Sequence, residues 1–135
     1  MLEQILCVDD DPITLMLCKK VIEKASFSEE IITARNGEEA LHFFNELKYS
    51  KSKIQKKPQL IFLDLNMPVM GGWEFLDHFS SIDYEEFNSI NVVVLSSTIN
   101  PEDLAKAKKY SAVIDFLSKP ITKSMLEYLK NKMDL

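Results

Sequence analysis

The sequence has few cysteines, no excess of positive charge and no long apolar run. Its two cysteines, Cys7 and Cys18, fit neither a disulfide framework nor a metal site, and their apolar neighbours favour buried free thiols. The formal net charge of −5 argues against nucleic acid as a general partner, because phosphate backbones bind basic surfaces. No apolar run reaches the roughly 20 residues of a membrane-spanning helix, and the start, MLEQILCVDD, lacks the basic residues of a signal peptide. These absences predict a cytoplasmic protein with neither a membrane nor a nucleic-acid partner.

The composition that remains is that of an ordinary globular domain. Hydrophobic residues make up 46% and charged residues 27% of the chain, values typical of folded proteins. A length of 135 residues allows a substantial core but is short for two domains. We therefore expect one domain over residues 1–135, with a core from about 4 to 131.

Short apolar runs alternate with segments of helical periodicity. Strands are predicted at 4–8, 29–34, 59–64, 90–97 and 112–118, and helices at 12–25, 36–47, 72–79, 101–110 and 121–133. The strands are nearly continuous hydrophobic runs, as in a parallel sheet covered by helices on both faces. Right-handed crossovers then predict a doubly wound α/β fold around a five-stranded parallel sheet.

One segment departs from the general composition. KYSKSKIQKK (48–57) contains five lysines and no acid. We interpret it as a solvated connection between the second helix and the third strand, with docking or anion binding as the weaker alternative.

Carboxylates stand where two of the predicted strands end. Asp9 and Asp10 close the first strand in ILCVDDDP, and Asp64 closes the third in LIFLD. Ligands of open α/β sheets bind at the carboxyl ends of the strands, where the strand order reverses, and in the order 2-1-3-4-5 these two strands are neighbours there. We therefore expect the three acids to share one crevice, in which their mutual repulsion calls for a compensating cation.

Two compensating groups can be proposed. Oxygen ligands with room for water suit Mg²⁺, and Lys119 in FLSKP follows the fifth strand at the same edge. Ser96 and Ser97 end the fourth strand and supply hydroxyls there. Acids, a metal, a hydroxyl and a lysine are suited to phosphoryl transfer, in which a carboxylate attacks while the metal and the lysine neutralise charge.

These residues resemble the receiver domain of response regulators in two-component signalling, of the single-domain chemotaxis type with a flavodoxin-like fold. The resemblance extends from about Gln4 to Lys130 and has five landmarks in order. They are DD after strand 1, D-x-N-M-P-x-M-x-G after strand 3, a hydroxyl after strand 4, an aromatic residue within strand 5 and KP after it. Five landmarks at the proper strand ends make a specific match.

The resemblance implies a role for each site residue. Asp64 would be the phosphoacceptor and also a metal ligand. Asp10 would bind Mg²⁺ directly, Asp9 largely through water, and Asn66 through its backbone carbonyl. Lys119 would contact the phosphoryl oxygens.

The resemblance also implies a switch. Ser96 would donate its hydroxyl to the phosphoryl group, with Ser97 as the alternative by one position. Phe116 would change rotamer in response, and the bond from Lys119 to Pro120 would be cis. The chain departs from the common pattern by having serine for threonine, Phe116 for tyrosine and MGG for MDG, and none of these changes removes a reacting group.

The function implied is that of a stand-alone receiver without an output domain. It would take a phosphoryl group from a histidine kinase or a histidine phosphotransfer protein, using Mg²⁺, and signal to a downstream protein through helix 4, strand 5 and helix 5. It would catalyse its own phosphorylation and dephosphorylation without being a conventional enzyme. We expect a monomer, with dimerisation on phosphorylation left open.

Three rival interpretations remain. A degenerate receiver would use the same face without phosphorylation, although its acids and lysine are intact. An aspartate-nucleophile phosphatase would have a second acid where Asn66 stands. A flavin carrier would have a hydroxyl-rich phosphate loop after strand 1, which the sequence lacks.

Other conspicuous residues have simpler expectations. Asp11 is expected to cap the first helix, His42 and His78 to lie away from the crevice, and Trp73 and Phe75 to be core. Helical periodicity places Leu17, Cys18, Val21 and Ala25 toward the core. It places Met16 on the opposite side, where an exposed methionine could form part of a docking site for the phosphoryl donor.

Overall fold

The computed structural model describes residues 1–50 and 56–135. Its strands are β1 (Leu2–Val8), β2 (Ser28–Ala34), β3 (Leu60–Asp64), β4 (Asn91–Ser96) and β5 (Val113–Ser118). Its α-helices are α1 (Pro12–Lys24), α2 (Gly37–Lys48), α3 (Gly72–Phe79), α4 (Pro101–Ala107) and α5 (Lys123–Lys132). A short 3-10 helix, Ile82–Phe87, follows α3.

Side-chain caps determine where several helices begin. Asp11 accepts a hydrogen bond from the Ile13 N–H at 2.9 Å, and Pro12 takes the first helical position, where no N–H is needed. Asn36, Asn100 and Thr122 cap α2, α4 and α5 in the same way. The prediction that Asp11 is a capping residue is confirmed.

The strands in the described ranges form one parallel sheet in the order β2-β1-β3-β4-β5. The doubly wound prediction and its strand order are confirmed. All five strands therefore point their carboxyl ends to one edge, and β1 and β3 are neighbours where the order reverses.

The helices cover both faces of the sheet. Cys18 and Ile22 of α1 and Leu126 and Leu129 of α5 pack on one face, against Phe62 and Val93 among others. On the other face, α2 and α3 enclose a second cluster rich in phenylalanine, and Ala107 of α4 packs with Leu65, Val94 and Phe116. Burial on both faces explains why the strands read as continuous apolar runs.

The prediction of which residues of α1 face the core is wrong at one position. Leu17, which was predicted to face the core, is 48% exposed, whereas Ile22 is fully buried. Leu17 lies near the carboxyl edge of the sheet, where it lines a cavity with Lys119 and Pro120 instead of packing under the strands. The exposure of Met16 and the burial of Cys18 agree with the predictions, and both cysteines are free buried thiols.

Other differences concern short segments. The 3-10 helix was not predicted, and α4 ends at Ala107, earlier than residue 110. Residues 51–55 of the lysine-rich segment lie outside the described residues, so its interpretation as a solvated connection stays a prediction. Within the described ranges, no helix combines the length and the apolar character needed to cross a membrane.

Candidate functional site

Three carboxylates meet at the carboxyl edge of the sheet. Asp9 and Asp10 follow β1, and Asp64 is the last residue of β3. One oxygen from each lies within 4.8 Å of the others. Asp9 and Asp64 are buried, with 6% and 7% of their surface exposed, whereas Asp10 is open to solvent. The convergence predicted from the ends of the strands is therefore present.

Lys119 forms ion pairs with two of these acids. Its Nζ lies 2.5 Å from Oδ2 of Asp9 and 3.3 Å from Oδ1 of Asp64. Its backbone N–H donates to the Ser96 carbonyl at 2.8 Å, which fixes the turn after β5 against the end of β4. Burial alone would lower the pKa of Lys119, but its hydrogen bond to Asp9 and the charges of Asp9 and Asp64 raise it. Lys119 is therefore a fixed positive charge between two acids.

Asp64 lies in an electrostatically unfavourable position for a carboxylate. Burial is the main cause that raises its pKa, and the negative charge of Asp9 raises it further. Lys119 and a hydrogen bond from the backbone N–H of Asn66 offset part of this shift. A further cation in the crevice would stabilise the ionised form of Asp64.

The donor set fits a magnesium ion. Asp9, Asp10 and Asp64 offer carboxylate oxygens, the ligand type that Mg²⁺ prefers, and the exposure of Asp10 leaves room for water. Asp9 is held in place because its Oδ1 accepts the Asp11 N–H at 3.0 Å. Asn66, two residues after Asp64, is exposed, and its role as a metal ligand through the backbone carbonyl stays a prediction.

The turn after Asp64 depends on a glycine. A Cβ atom on Gly72 would lie 2.5 Å from the Asp64 carbonyl oxygen and 3.0 Å from the Leu65 Cα, so only glycine fits without displacement. The Gly72 N–H donates to the Leu65 carbonyl at 3.0 Å and closes the turn. Val69, within the same turn, has a φ of 70°, which a β-branched residue rarely adopts. The last glycine of the D-x-N-M-P-x-M-x-G pattern thus lets α3 begin directly beside the acid.

Ser96 is the hydroxyl at the end of β4. It is buried, and its Oγ donates to the Thr98 carbonyl at 2.7 Å, whereas Ser97 is exposed. Burial distinguishes Ser96 from Ser97, and the assignment of the switch hydroxyl to Ser96 stays a prediction.

The remaining predicted residues lie on and after β5. Phe116 is buried against Leu65, Val94 and Ala107. The peptide bond between Lys119 and Pro120 is cis, as predicted. His42 pairs with Glu46 on the exposed surface of α2 at 2.9 Å, outside the acidic cluster.

Sequence reasoning missed two polar networks around α4, β5 and α5. Asp115 accepts hydrogen bonds from Tyr128 at 2.5 Å and Lys132 at 3.0 Å, which join β5 to α5. Tyr110 donates to Asp77 at 2.5 Å and joins the end of α4 to α3. An irregularity in the register of β5 near Ile114 places Asp115 beside α5. No residue pattern in the sequence predicts this irregularity.

Comparisons with known proteins match these features. The model of the response regulator receiver domain matches residues 5–129. A solved two-component response regulator from Cytophaga hutchinsonii is 34% identical with a TM-score of 0.86, covering 97% of this chain and 96% of that one. The chemotaxis protein CheY of Thermotoga maritima is 29% identical over 131 residues, which cover 97% of each chain.

A third relative is much longer than this chain. The protein-glutamate methylesterase/protein-glutamine glutaminase of Caldanaerobacter subterraneus is 30% identical over 118 residues. These residues cover 87% of this chain but 28% of that protein. The similarity to this relative thus concerns the part of the chain that carries the acidic crevice. Because the family model matches residues 5–129, the chain belongs to the response regulator receiver domains.

Proposed function

We propose that the protein accepts a phosphoryl group on Asp64 from a phosphohistidine of a histidine kinase or a histidine phosphotransfer protein, with Mg²⁺ as cofactor. The observation that carries the proposal is the position of the Lys119 Nζ, 2.5 Å from Asp9 and 3.3 Å from Asp64 in a three-carboxylate crevice. Receiver domains act in signalling rather than as conventional enzymes, and those of two-component systems accept phosphoryl groups from histidine kinases. The proposed unit is the receiver fold over about residues 4–131.

The proposed reaction is an in-line transfer between two nucleophiles. A carboxylate oxygen of Asp64 attacks phosphorus, a new O–P bond forms and the N–P bond of the donor breaks. The imidazole nitrogen of the donor leaves with the electron pair and takes up a proton. Lys119 pairs with a phosphoryl oxygen in this proposal. Its ammonium already lies 3.3 Å from Asp64, so it is close to the position of the transferred group.

Asp9, Asp10, Asp64 and the backbone carbonyl of Asn66 would hold the magnesium ion. The ion would neutralise charge on the transferring group. Asp64 ends β3 and is the proposed phosphoacceptor. Asp9 and Asp10 follow β1, and their proposed role is to bind the metal.

The proposed readout begins at Ser96. In the structure its hydroxyl donates to the Thr98 carbonyl. A phosphoryl oxygen on Asp64 would compete for the same proton, and the turn that leads into α4 would then rearrange. Phe116 would adjust its rotamer to the moved hydroxyl, and the face made by α4, β5 and α5 would change for a downstream protein.

We propose that the phosphoryl donor docks on α1. Ile13, Met16 and Leu17 of α1 are all at least 47% exposed, and Leu17 shares a cavity lining with Asp64 and Lys119. Exposed apolar side chains beside a reactive crevice favour a protein partner. Met16→Asp is expected to slow phosphotransfer from the cognate histidine donor while leaving phosphorylation by acetyl phosphate unchanged. An unchanged rate from the histidine donor would remove α1 from the docking site.

The function itself is tested by intact mass after incubation with acetyl phosphate. We expect one added phosphoryl group in the presence of Mg²⁺, and none with EDTA or in Asp64→Asn. Asp83→Asn, an exposed acid on the 3-10 helix, is the matched control and is expected to be phosphorylated normally.

Two results would contradict the proposal. An adduct that persists in Asp64→Asn would place the phosphoryl group elsewhere. A wild-type protein that gains no mass from either acetyl phosphate or a phosphorylated histidine donor would identify a degenerate receiver that acts without phosphorylation.

A further inference from the structure

Four side chains join α3 to the end of α4. The Trp73 ring stacks on the Tyr110 ring with centroids 5.8 Å apart and planes at 19°. The Lys106 Nζ lies 4.9 Å from the centroid of the Trp73 ring, and the Tyr110 hydroxyl donates to Asp77 at 2.5 Å. We call Trp73, Asp77, Lys106 and Tyr110 the α3–α4 clamp.

The clamp matters because α4 has little other attachment. All residues of α4 are described, and Ala107 is the one among them that is buried. Leu104 and Lys106 are exposed. A short helix with one buried residue depends on side-chain contacts such as these to stay in place.

Two sets of contacts connect the clamp to the proposed phosphorylation site at Asp64. Trp73 packs against the cluster that contains Leu65 and Phe116, and Leu65 directly follows Asp64. From the other side, Ser96 binds the carbonyl of Thr98, two residues before the Asn100 cap of α4. The structure therefore shows the clamp closed while the Ser96 hydroxyl points to Thr98.

We propose that the α3–α4 clamp restrains α4 in this arrangement and so opposes the rearrangement that follows phosphorylation. The inference rests on the proposed function, since it concerns the energetic balance of that same site. Linkage is reciprocal: whatever stabilises the clamped arrangement weakens binding of a phosphoryl group or its analogue, and opening the clamp strengthens it.

The size of the effect follows from the contacts. A cation–π contact at an exposed site corresponds to about a two- to fivefold change in an equilibrium constant. Lys106→Met removes the charge above Trp73 and keeps a long side chain. Tyr110→Phe keeps the ring on Trp73 and removes the hydrogen bond to Asp77. Each variant is expected to bind beryllofluoride, a phosphoryl analogue, about two- to fivefold more tightly in the presence of Mg²⁺.

The experiment uses two readouts on the same proteins. Hydrogen exchange of the backbone amides of residues 104–107, measured without ligand, reports whether the clamp holds α4. Titration with beryllofluoride, followed by backbone amide NMR signals, reports the energetic link to Asp64. Lys109→Met is the matched control, because it removes a lysine charge from an exposed position just after α4. Asp64→Asn defines the background of the titration.

Faster exchange together with tighter beryllofluoride binding in Lys106→Met and Tyr110→Phe, but not in Lys109→Met, supports the inference. Unchanged exchange overturns it, because α4 then does not depend on the clamp. Faster exchange with unchanged or weaker binding also overturns it, because the clamp is then purely structural. If the wild type binds beryllofluoride no better than Asp64→Asn, the proposed function fails and the inference with it, a result distinct from the other two.

Discussion

Replacing Lys119 with methionine tests whether the lysine and a metal ion compensate the same acids. Methionine keeps an unbranched side chain and removes the ammonium, whose Nζ lies 2.5 Å from Asp9 and 3.3 Å from Asp64. The side chains of Lys119, Asp9 and Asp64 are 19%, 8% and 9% exposed. The substitution therefore removes the ion pairs that Lys119 makes with two nearly buried carboxylates.

The magnitude follows from this burial. Removing one partner of a buried ion pair costs about 3–5 kcal/mol, and the partial exposure of Lys119 places the loss at the lower end, about 3 kcal/mol of unfolding free energy in EDTA. Mg²⁺ acts in the opposite direction, since a ligand at a hundred times its Kd adds about 2.7 kcal/mol. Because methionine does not compete for the carboxylates, Mg²⁺ should bind the variant more tightly than the wild type and stabilise it more.

The assay is urea unfolding in EDTA and in Mg²⁺, followed by circular dichroism. Lys123→Met, at the exposed start of α5, is the matched control and should behave as the wild type in both buffers. The reasoning is refuted if Lys119→Met is as stable as Lys123→Met in EDTA. It is equally refuted if Mg²⁺ stabilises all three proteins by the same amount, because Lys119 and the metal would then not share the acids.

Three further predictions concern the turn after Asp64 and the β5–α5 contact. Val69→Asn should raise the unfolding free energy by about 1 kcal/mol in a urea titration, because asparagine tolerates a positive φ and the exposed valine packs little; a loss of stability would contradict this. Gly72→Ala should cost about 1–3 kcal/mol and reduce acetyl phosphate labelling, since its Cβ would lie 2.5 Å from the Asp64 carbonyl oxygen; normal stability and labelling would show that the turn has room. Burial would raise the pKa of Asp115, but the hydrogen bonds from α5 hold it below its ordinary value of 3.8. The stability that Asp115 adds is therefore fully present above pH 3.8 and is lost as the pH falls below it, so the thermal stabilities of wild type and Asp115→Asn should differ at neutral pH and converge as the pH falls below 3.8; a constant gap would contradict this.

The strands were predictable from local sequence patterns, and the acidic crevice was predictable from the topology of the sheet that these strands form. Continuous apolar runs identify buried parallel strands, and a carboxylate at the end of such a run has no packing reason to be there. Asp9 and Asp64 are 55 positions apart in the sequence, yet parallel strands bring both residues to one edge of the sheet. Topology alone was enough to place them together.

What could not be predicted depends on how elements meet. Leu17 lies on the apolar side of α1 by periodicity, but it lines the cavity beside Asp64 and Lys119 and stays 48% exposed. The stacking of Trp73 on Tyr110 depends on the separation of α3 and α4 in space, which no period along the chain encodes. Asp115 reaches α5 through a register irregularity in β5.

The proposed switch also has an energetic limit at Ser96. Its hydroxyl donates to a neutral carbonyl, that of Thr98, and in the phosphorylated protein would donate to a charged phosphoryl oxygen instead. A hydrogen bond to a charged group exceeds a neutral one by about 1–1.5 kcal/mol, which shifts a two-state equilibrium by about tenfold. Moving the population from 1:99 to 99:1 takes about 5.5 kcal/mol. Ser96 alone therefore cannot complete the switch. We expect the remainder to come from a shift of Lys119 from Asp9 toward the phosphoryl group, and from contacts that differ between the two proposed arrangements of α4.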